Sequence, residues 1–334
     1  MIKIGIIGMG IRGTMFASTV NENAYAEVAA VAEYNEDTLK AAADRFRVPG
    51  YQDYRKMINE VEMDGIIVST PDFLHKDAVI CAANKGIDIL CEKPFSTSVK
   101  ECEEMIEAIR KNHVKCMVAF ENRWNSPIVA AKNTIDSGAV GEILNINARL
   151  NDTIFVPTEL LKWSKGSSVG WFLFPHLVDM ISWFSGKTVD SVYAVGTKKK
   201  LVSLGLDIYD TIQATLNFTD GTHSTLSSSW VLPNSMPLIY DLKMEIIGTD
   251  GALYVDTYDQ MVKLGSDRYS HVHTLGTPIN GMATGNSNFM LHAFVDCLRS
   301  DAAPDANEAA GLVNTKIVEA IHQSVETGQI VKLI

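Results

Sequence analysis

Lys3-Ile4-Gly5-Ile6-Ile7-Gly8-Met9-Gly10-Ile11-Arg12-Gly13, near the start of the chain, decides how the fold is read. An apolar run of strand length enters three glycines spaced GxGxxG, and a helix-favouring segment follows. Strand, glycine turn and helix, in that order, form the context that a dinucleotide fingerprint requires. Gly8 permits the tight turn, Gly10 lets the backbone approach a pyrophosphate, and Gly13 lets the helix pack on the strand. The helix N-terminus offers N–H groups and partial positive charge to phosphate oxygens. Gly8, Met9, Gly10, Ile11, Arg12 and Gly13 are therefore the expected phosphate loop.

Working outward, the first 120 residues alternate short apolar runs with helical patterns. EVAAVAEY (27–34), DGIIVST (64–70), IDILCEK (87–93) and VKCMVAF (114–120) read as strands. Asn35 is placed to cap the helix EDTLKAAADRF, Gly86 to close the helix before it, and Ser98-x-x-Glu101 makes a capping box. Continuous apolar strands between helices predict a parallel sheet covered on both faces and doubly wound. Beyond residue 121 the pattern becomes period two in SVYAVGT, DTIQATLNF, HSTLSSSW, DLKMEIIG and ALYVDT. Asp220-Gly221 and Asp250-Gly251 supply hairpin turns. The expectation is an α/β chain with two parts: residues 1–121 form the doubly wound domain, and residues 122–334 form an α+β domain with a large open, mostly antiparallel sheet.

The 334 residues carry a formal net charge of −11, which disfavours nucleic acid and anionic membrane surfaces as partners. No segment reaches the roughly 20 apolar residues that span a bilayer. Five cysteines without a CxxC fit free, buried thiols in the cytoplasm, and no metal site is expected. His271-Val272-His273 has no evident third ligand.

Glu33 follows Gly13 by 20 residues, at the end of the second strand. A carboxylate there accepts hydrogen bonds from ribose hydroxyls and repels a 2′-phosphate, so the expected cofactor is NAD rather than NADP. Arg12 is a nearby arginine that could accommodate an extra phosphate. Ligands of open parallel sheets bind beyond the carboxyl ends of the strands. Thr70 and Pro71, His75 just beyond them, and Glu92 and Lys93 before Pro94 all fall at that edge, and they complete the cofactor-binding set. Lys93 can also donate to a substrate oxygen or take its proton.

The glycine loop, Glu33, Thr70-Pro71 with His75, and Glu92-Lys93-Pro94 together resemble the glucose–fructose oxidoreductase/inositol dehydrogenase/MocA (Gfo/Idh/MocA) family. The match continues through Asn122-Arg123-Trp124, Gly138-x-x-Gly141-Glu142-Ile143, His176-x-x-Asp179 and Gly248-Thr249-Asp250-Gly251. The resemblance implies a Rossmann domain followed by an α/β domain whose sheet forms a subunit interface, hence a homodimer or homotetramer. It also implies oxidation of a secondary hydroxyl of a sugar or polyol, or the reverse reduction, with Lys93 and His176 catalytic. Inositol dehydrogenases carry an aspartate four residues before the histidine and often a glycine two before it. Here those positions hold Phe172 and Phe174.

In GWFLFPHLVDM (170–180), His176 is thus either a base in a dry aromatic pocket or a satisfied core histidine. Asp179 would support it, bind substrate hydroxyls, or serve as a helix cap or ion pair. Arg123, Trp124, Trp163, Lys162, Tyr240 and Trp230 could each line a sugar site or pack internally, and Phe172 could shape a drier substrate pocket. Two other functions stay open: glycoside cleavage with recycled NAD, and a nucleotide-binding sensor without catalysis.

Overall fold

The computed structural model describes residues 1–267, 269–300 and 302–334. The chain divides into two compact units: residues 1–121 with 278–315, and residues 122–277 with 316–334.

In the first unit, β1 (Ile2–Ile7), β2 (Ala26–Ala32), β3 (Gly50–Tyr51), β4 (Gly65–Val68), β5 (Asp88–Cys91) and β6 (Cys116–Val118) form a parallel sheet in the order β3-β2-β1-β4-β5-β6. The order reverses between β1 and β4, the switch point where doubly wound sheets open a crevice at the strands' carboxyl ends. Ile4, Ile6, Ile66, Ile67, Ile89 and Leu90 are fully buried, as strands covered on both faces must be. The intervening helices are α1 (Ile11–Glu22), α2 (Glu36–Phe46), α3 (Tyr54–Glu60), α4 (His75–Asn84) and α5 (Val99–Lys111). Asn35 caps α2 by accepting from Thr38 N–H at 2.9 Å, and Ser98 caps α5 through Glu101 N–H at 3.5 Å.

Residues 278–315 belong with this unit, whereas the sequence reading placed them in the second domain. The reason lies in α9 (Asn286–Arg299). Its buried Met290, Leu291, Phe294 and Val295 make an apolar face, and Leu298 and Phe294 lie so near β4 that a Cβ on Gly65 would come within 2.7 Å of Leu298. Amphipathic spacing announces such a helix without saying which sheet it covers.

The second unit holds α6 (Ser126–Asp136), β7 (Ile143–Thr153), α7 (Val169–Ser185), β8 (Val189–Thr197), the short α8 (Lys200–Ser203), β9 (Thr211–Phe218), β10 (His223–Leu232), β11 (Tyr240–Gly248) and β12 (Ala252–Asp256). A small hairpin, β13 (Lys263–Gly265) with β14 (Tyr269–His271), precedes α10 (Glu308–Thr327), which begins in the first unit, and β15 (Val331–Lys332). The seven-stranded sheet runs β12-β11-β7-β10-β9-β8-β15, with only β7 and β10 parallel. Its two predicted hairpin turns join β9 to β10 and β11 to β12. Leu173, Leu177, Val178 and Ile181 of α7 share one core with Ile146, Leu150, Ile212, Leu216, Leu226 and Met244 of the sheet. The other face is polar. Asn147, Arg149, Gln213, Thr225, Ser227, Lys243 and Glu245 line a shallow depression of about 280 Å³ on it.

Among the described residues no helix is long and apolar enough to cross a membrane. All five cysteines are free, but Cys81 and Cys297 are only half-buried, unlike Cys91, Cys102 and Cys116.

Candidate active site

The glycine loop has the geometry its spacing predicts. Gly8 sits at φ +88°, and a Cβ there would lie 2.7 Å from Ser69 O. A Cβ on Gly13 would meet Gly8 O at 1.9 Å, whereas one on Gly10 would have nothing within 4 Å. Gly13 is therefore required by internal packing, and Gly10 leaves open backbone at the N-terminus of α1, as a pyrophosphate needs. Thr70 Oγ1, beside this loop, is buried and meets no hydrogen-bonding partner. A buried hydroxyl without a partner is costly, and a ligand hydrogen bond would relieve it. These features fit a bound dinucleotide.

Glu33 is built into the loop: one oxygen accepts from Met9 N–H at 2.8 Å and the other from Asn35 N–H at 2.9 Å. The carboxylate is thereby held where the second strand ends. Arg12 is held elsewhere. Its Nε donates to Glu92 at 2.6 Å, its Nη2 to Glu121 at 2.5 Å and its Nη1 to Ser287 Oγ at 3.0 Å. Burial opposes its charge, but Glu121 and Glu92 outweigh that and hold it firmly cationic. The guanidinium bound by these two carboxylates is poorly placed to serve a 2′-phosphate, which removes the ambiguity Arg12 left in the sequence.

Glu92 links this cluster to Lys93, because its second oxygen accepts from Lys93 N–H at 3.0 Å. Burial lowers the Lys93 ammonium pKa, Glu92 and Glu121 partly restore it, and Arg12 lowers it further. Such a lysine releases its proton more readily than a solvated one. The Lys93–Pro94 peptide is cis. His75 is 1% exposed, with Nδ1 2.9 Å from Pro94 O and Nε2 3.1 Å from Thr70 O. It ties the exits of β4 and β5 together as a strut rather than reaching outward to a cofactor.

In the second unit, α7 carries the opening motif. Ser168 caps it by accepting from Trp171 N–H at 2.9 Å, and Gly186, at φ +63°, closes it. From Leu173 to Ile181 every residue is buried except His176, which is partly open to solvent. Within this stretch it is the one side chain that solvent reaches appreciably. Its Nδ1 lies 3.4 Å from Asn122 Nδ2.

Asp179 does not support His176, nor is it open to substrate. Arg123 donates to both its oxygens, Nε at 3.0 Å and Nη2 at 2.7 Å. Burial raises the Asp179 carboxyl pKa and Arg123 opposes that shift. The Arg123 guanidinium also lies 5.6 Å from the Trp183 ring. Arg123 and Asp179, both expected as substrate ligands, thus form a buried clamp between α7 and the turn at 121–124.

The aromatic residues divide. Phe174 is fully buried in the core, and Trp171 stacks on His322 at 4.8 Å. Phe172 packs 6.1 Å from Trp163 and 5.7 Å from Trp230. Trp230 is fully buried and donates to Asp152 at 3.2 Å, so it has no face for a sugar. Trp124, Trp163 and Tyr240 stay partly accessible and Lys162 exposed. His271 Nδ1 lies 2.7 Å from Tyr258 O, and His273 is 3.5 Å from Tyr240 Oη. Asn122, Glu121 and Ser287 received no role from the sequence. Asn122 entered the sequence reading only within the motif Asn122-Arg123-Trp124.

Two family models match the chain: an oxidoreductase family with an NAD-binding Rossmann fold over residues 2–120, and the GFO/IDH/MocA C-terminal domain over residues 128–254. Myo-inositol 2-dehydrogenase of Thermotoga maritima is 26% identical over 262 residues, covering 76% of this chain and 75% of its own. The 2,7-anhydro-N-acetylneuraminate hydratase of Escherichia coli is 26% identical over 280 residues, covering 82% and 73%. The crystal structure of scyllo-inositol dehydrogenase from Lactobacillus casei, with NAD(H) and scyllo-inositol bound, aligns with a TM-score of 0.86. It is 22% identical and covers 99% of this chain and 98% of its own, a likeness of fold.

Proposed function

Since the chain belongs to the Gfo/Idh/MocA family of NAD-binding oxidoreductases, we propose that it oxidises a secondary hydroxyl of a sugar, polyol or related carbohydrate, or runs the reverse reduction. Gly8, Gly10, Gly13, Glu33 and Thr70 hold the NAD, which when bound supplies the two-electron acceptor for the carbinol carbon. Lys93 and His176 manage the hydroxyl proton. The observation that carries this reading is Lys93 itself, at the carboxyl end of β5, with burial favouring the neutral amine that can accept a proton. As an ammonium it stabilises negative charge developing on oxygen. Trp124, Trp163 and Tyr240 keep accessible aromatic surface suited to sugar faces. The polar face of the seven-stranded sheet is the proposed contact of a homodimer or homotetramer, and the free thiols fit a cytoplasmic protein.

A second reading keeps the same residues: transient oxidation acidifies a neighbouring C–H and permits elimination, with NAD regenerated. The similarity to a hydratase favours including it. A panel of sugars and polyols incubated with NAD separates the two. Net NADH formation supports the dehydrogenase. Product without NADH supports elimination, and NAD binding without turnover would leave only a sensor.

A further inference from the structure

The position that would orient His176 by a carboxylate is Phe172, and Phe172 packs against Trp163 and Trp230. Asp179, three residues after His176, is taken on both oxygens by Arg123. The group beside His176 Nδ1 is the side-chain amide of Asn122, a buried residue whose Nδ2 is 3.4 Å away. That amide is itself oriented. Asn122 Oδ1 accepts from Asn125 Nδ2 at 3.2 Å, and the backbone braces the pair, with Asn125 N–H donating to Asn122 O at 3.0 Å.

A carboxylate can only accept. Placed at Nδ1 it requires Nδ1–H, leaves Nε2 bare as a base and stabilises the imidazolium. An amide whose NH₂ faces the ring imposes the opposite arrangement. It donates to a bare Nδ1, and the neutral ring carries its proton on Nε2. Reversing Asn122 alone would set its NH₂ against that of Asn125, so the two amides hold one sense together.

We propose that Asn122, braced by Asn125, replaces the missing carboxylate as the positioning residue for His176 and fixes its proton on Nε2. The ring then donates to the substrate oxygen, and proton acceptance falls to Lys93. The inference rests on the catalytic reading of Lys93 and His176. In the proton step the substrate O–H bond breaks and a new N–H bond forms on the Lys93 amine, which becomes an ammonium. The alkoxide oxygen keeps the electron pair and accepts from His176 Nε2–H, and His176 neither gains nor loses a proton.

The test is long-range proton–nitrogen NMR of the His176 ring in the full-length protein, assigned by its loss in His176→Gln. The wild type should show neutral His176 with Nε2 protonated and Nδ1 bare. Asn122→Asp should switch the ring to the Nδ1–H form, and Asn125→Ala should shift the population toward it by freeing Asn122 to turn. Nδ1–H in the wild type, or an unchanged tautomer in folded Asn122→Asp and Asn125→Ala, overturns the proposal. Turnover is read separately. Should the tautomers follow the prediction while His176→Gln oxidises substrate at the wild-type rate, the positioning by Asn122 stands and the catalytic role of His176 falls. Asn122→Asp, with a bare Nε2 in place of a donor, should lower kcat by about tenfold with KM little changed.

Discussion

His322 should make the protein acid-sensitive through a single buried ring. Its Nδ1 lies 2.7 Å from Val318 O and its Nε2 2.6 Å from Ser168 Oγ, the hydroxyl that caps α7. Trp171 stacks on it, and a Cβ on Gly170 would fall 2.7 Å from its Cε1. In the neutral ring Nδ1–H donates to the carbonyl, Nε2 accepts from the serine, and Ser168 Oγ accepts from Trp171 N–H. Burial lowers its pKa from 6.5 to about 4.

Because the folded value lies below the unfolded one, the unfolded chain binds the extra proton first. Stability is therefore complete above the unfolded pKa and falls as the pH drops through this window. At 1.36 kcal/mol per unit, the loss is about 2 kcal/mol by pH 5 and about 3 kcal/mol by pH 4. Urea unfolding at pH 7.5, 5 and 4 should show this loss in the wild type. In His322→Gln, whose amide can still accept from Ser168, the part due to this ring should vanish. Equal pH slopes in the two proteins would refute the assignment.

Three further perturbations have definite outcomes. Glu33→Gln should weaken NAD binding and raise NADP affinity relative to it; a wild type that binds NADP more tightly than NAD would show that Glu33 does not set the choice. Lys93→Ala should leave NAD affinity nearly intact and cut turnover about 100-fold or more, and the rising limb of the wild-type pH–rate profile should lie below the ~10.4 of a free lysine; unchanged turnover removes Lys93 from the chemistry. Arg123→Ala should strand the Asp179 carboxylate in the interior and cost about 3–5 kcal/mol. The double variant Arg123→Ala/Asp179→Ala should recover part of that in denaturant titration, and additive losses would mean the clamp does not couple them.

The parallel sheet was legible because its signals are local. A glycine loop, Asn35, Ser98 and runs of buried isoleucine each specify their own element. The period-two strands of the second unit were equally plain, and their Asp-Gly turns fixed two hairpins. What stayed hidden depended on partners distant in sequence. Residues 278–315 look like any helical tail until Phe294 and Leu298 meet β4. Asp179 looked like a partner for His176 at helical spacing, yet Arg123, 56 positions earlier, claims both its oxygens. Trp230, read as a possible sugar platform at a strand exit, is sealed beneath Phe172 and bonded to Asp152. Arg12 changed meaning for the same reason: GxGxxG spacing puts it at the loop, and only the fold brings Glu92 and Glu121 to it.

The most direct test uses a panel of sugars and polyols carrying deuterium at each secondary carbinol carbon, incubated with NAD and either wild-type protein or Lys93→Ala. The account predicts net accumulation of reduced NAD bearing the substrate's deuterium, slowed about 100-fold in the variant. Deuterium-free NADH, or a wild type that binds NAD yet neither reduces it nor transforms any of these substrates, would contradict it.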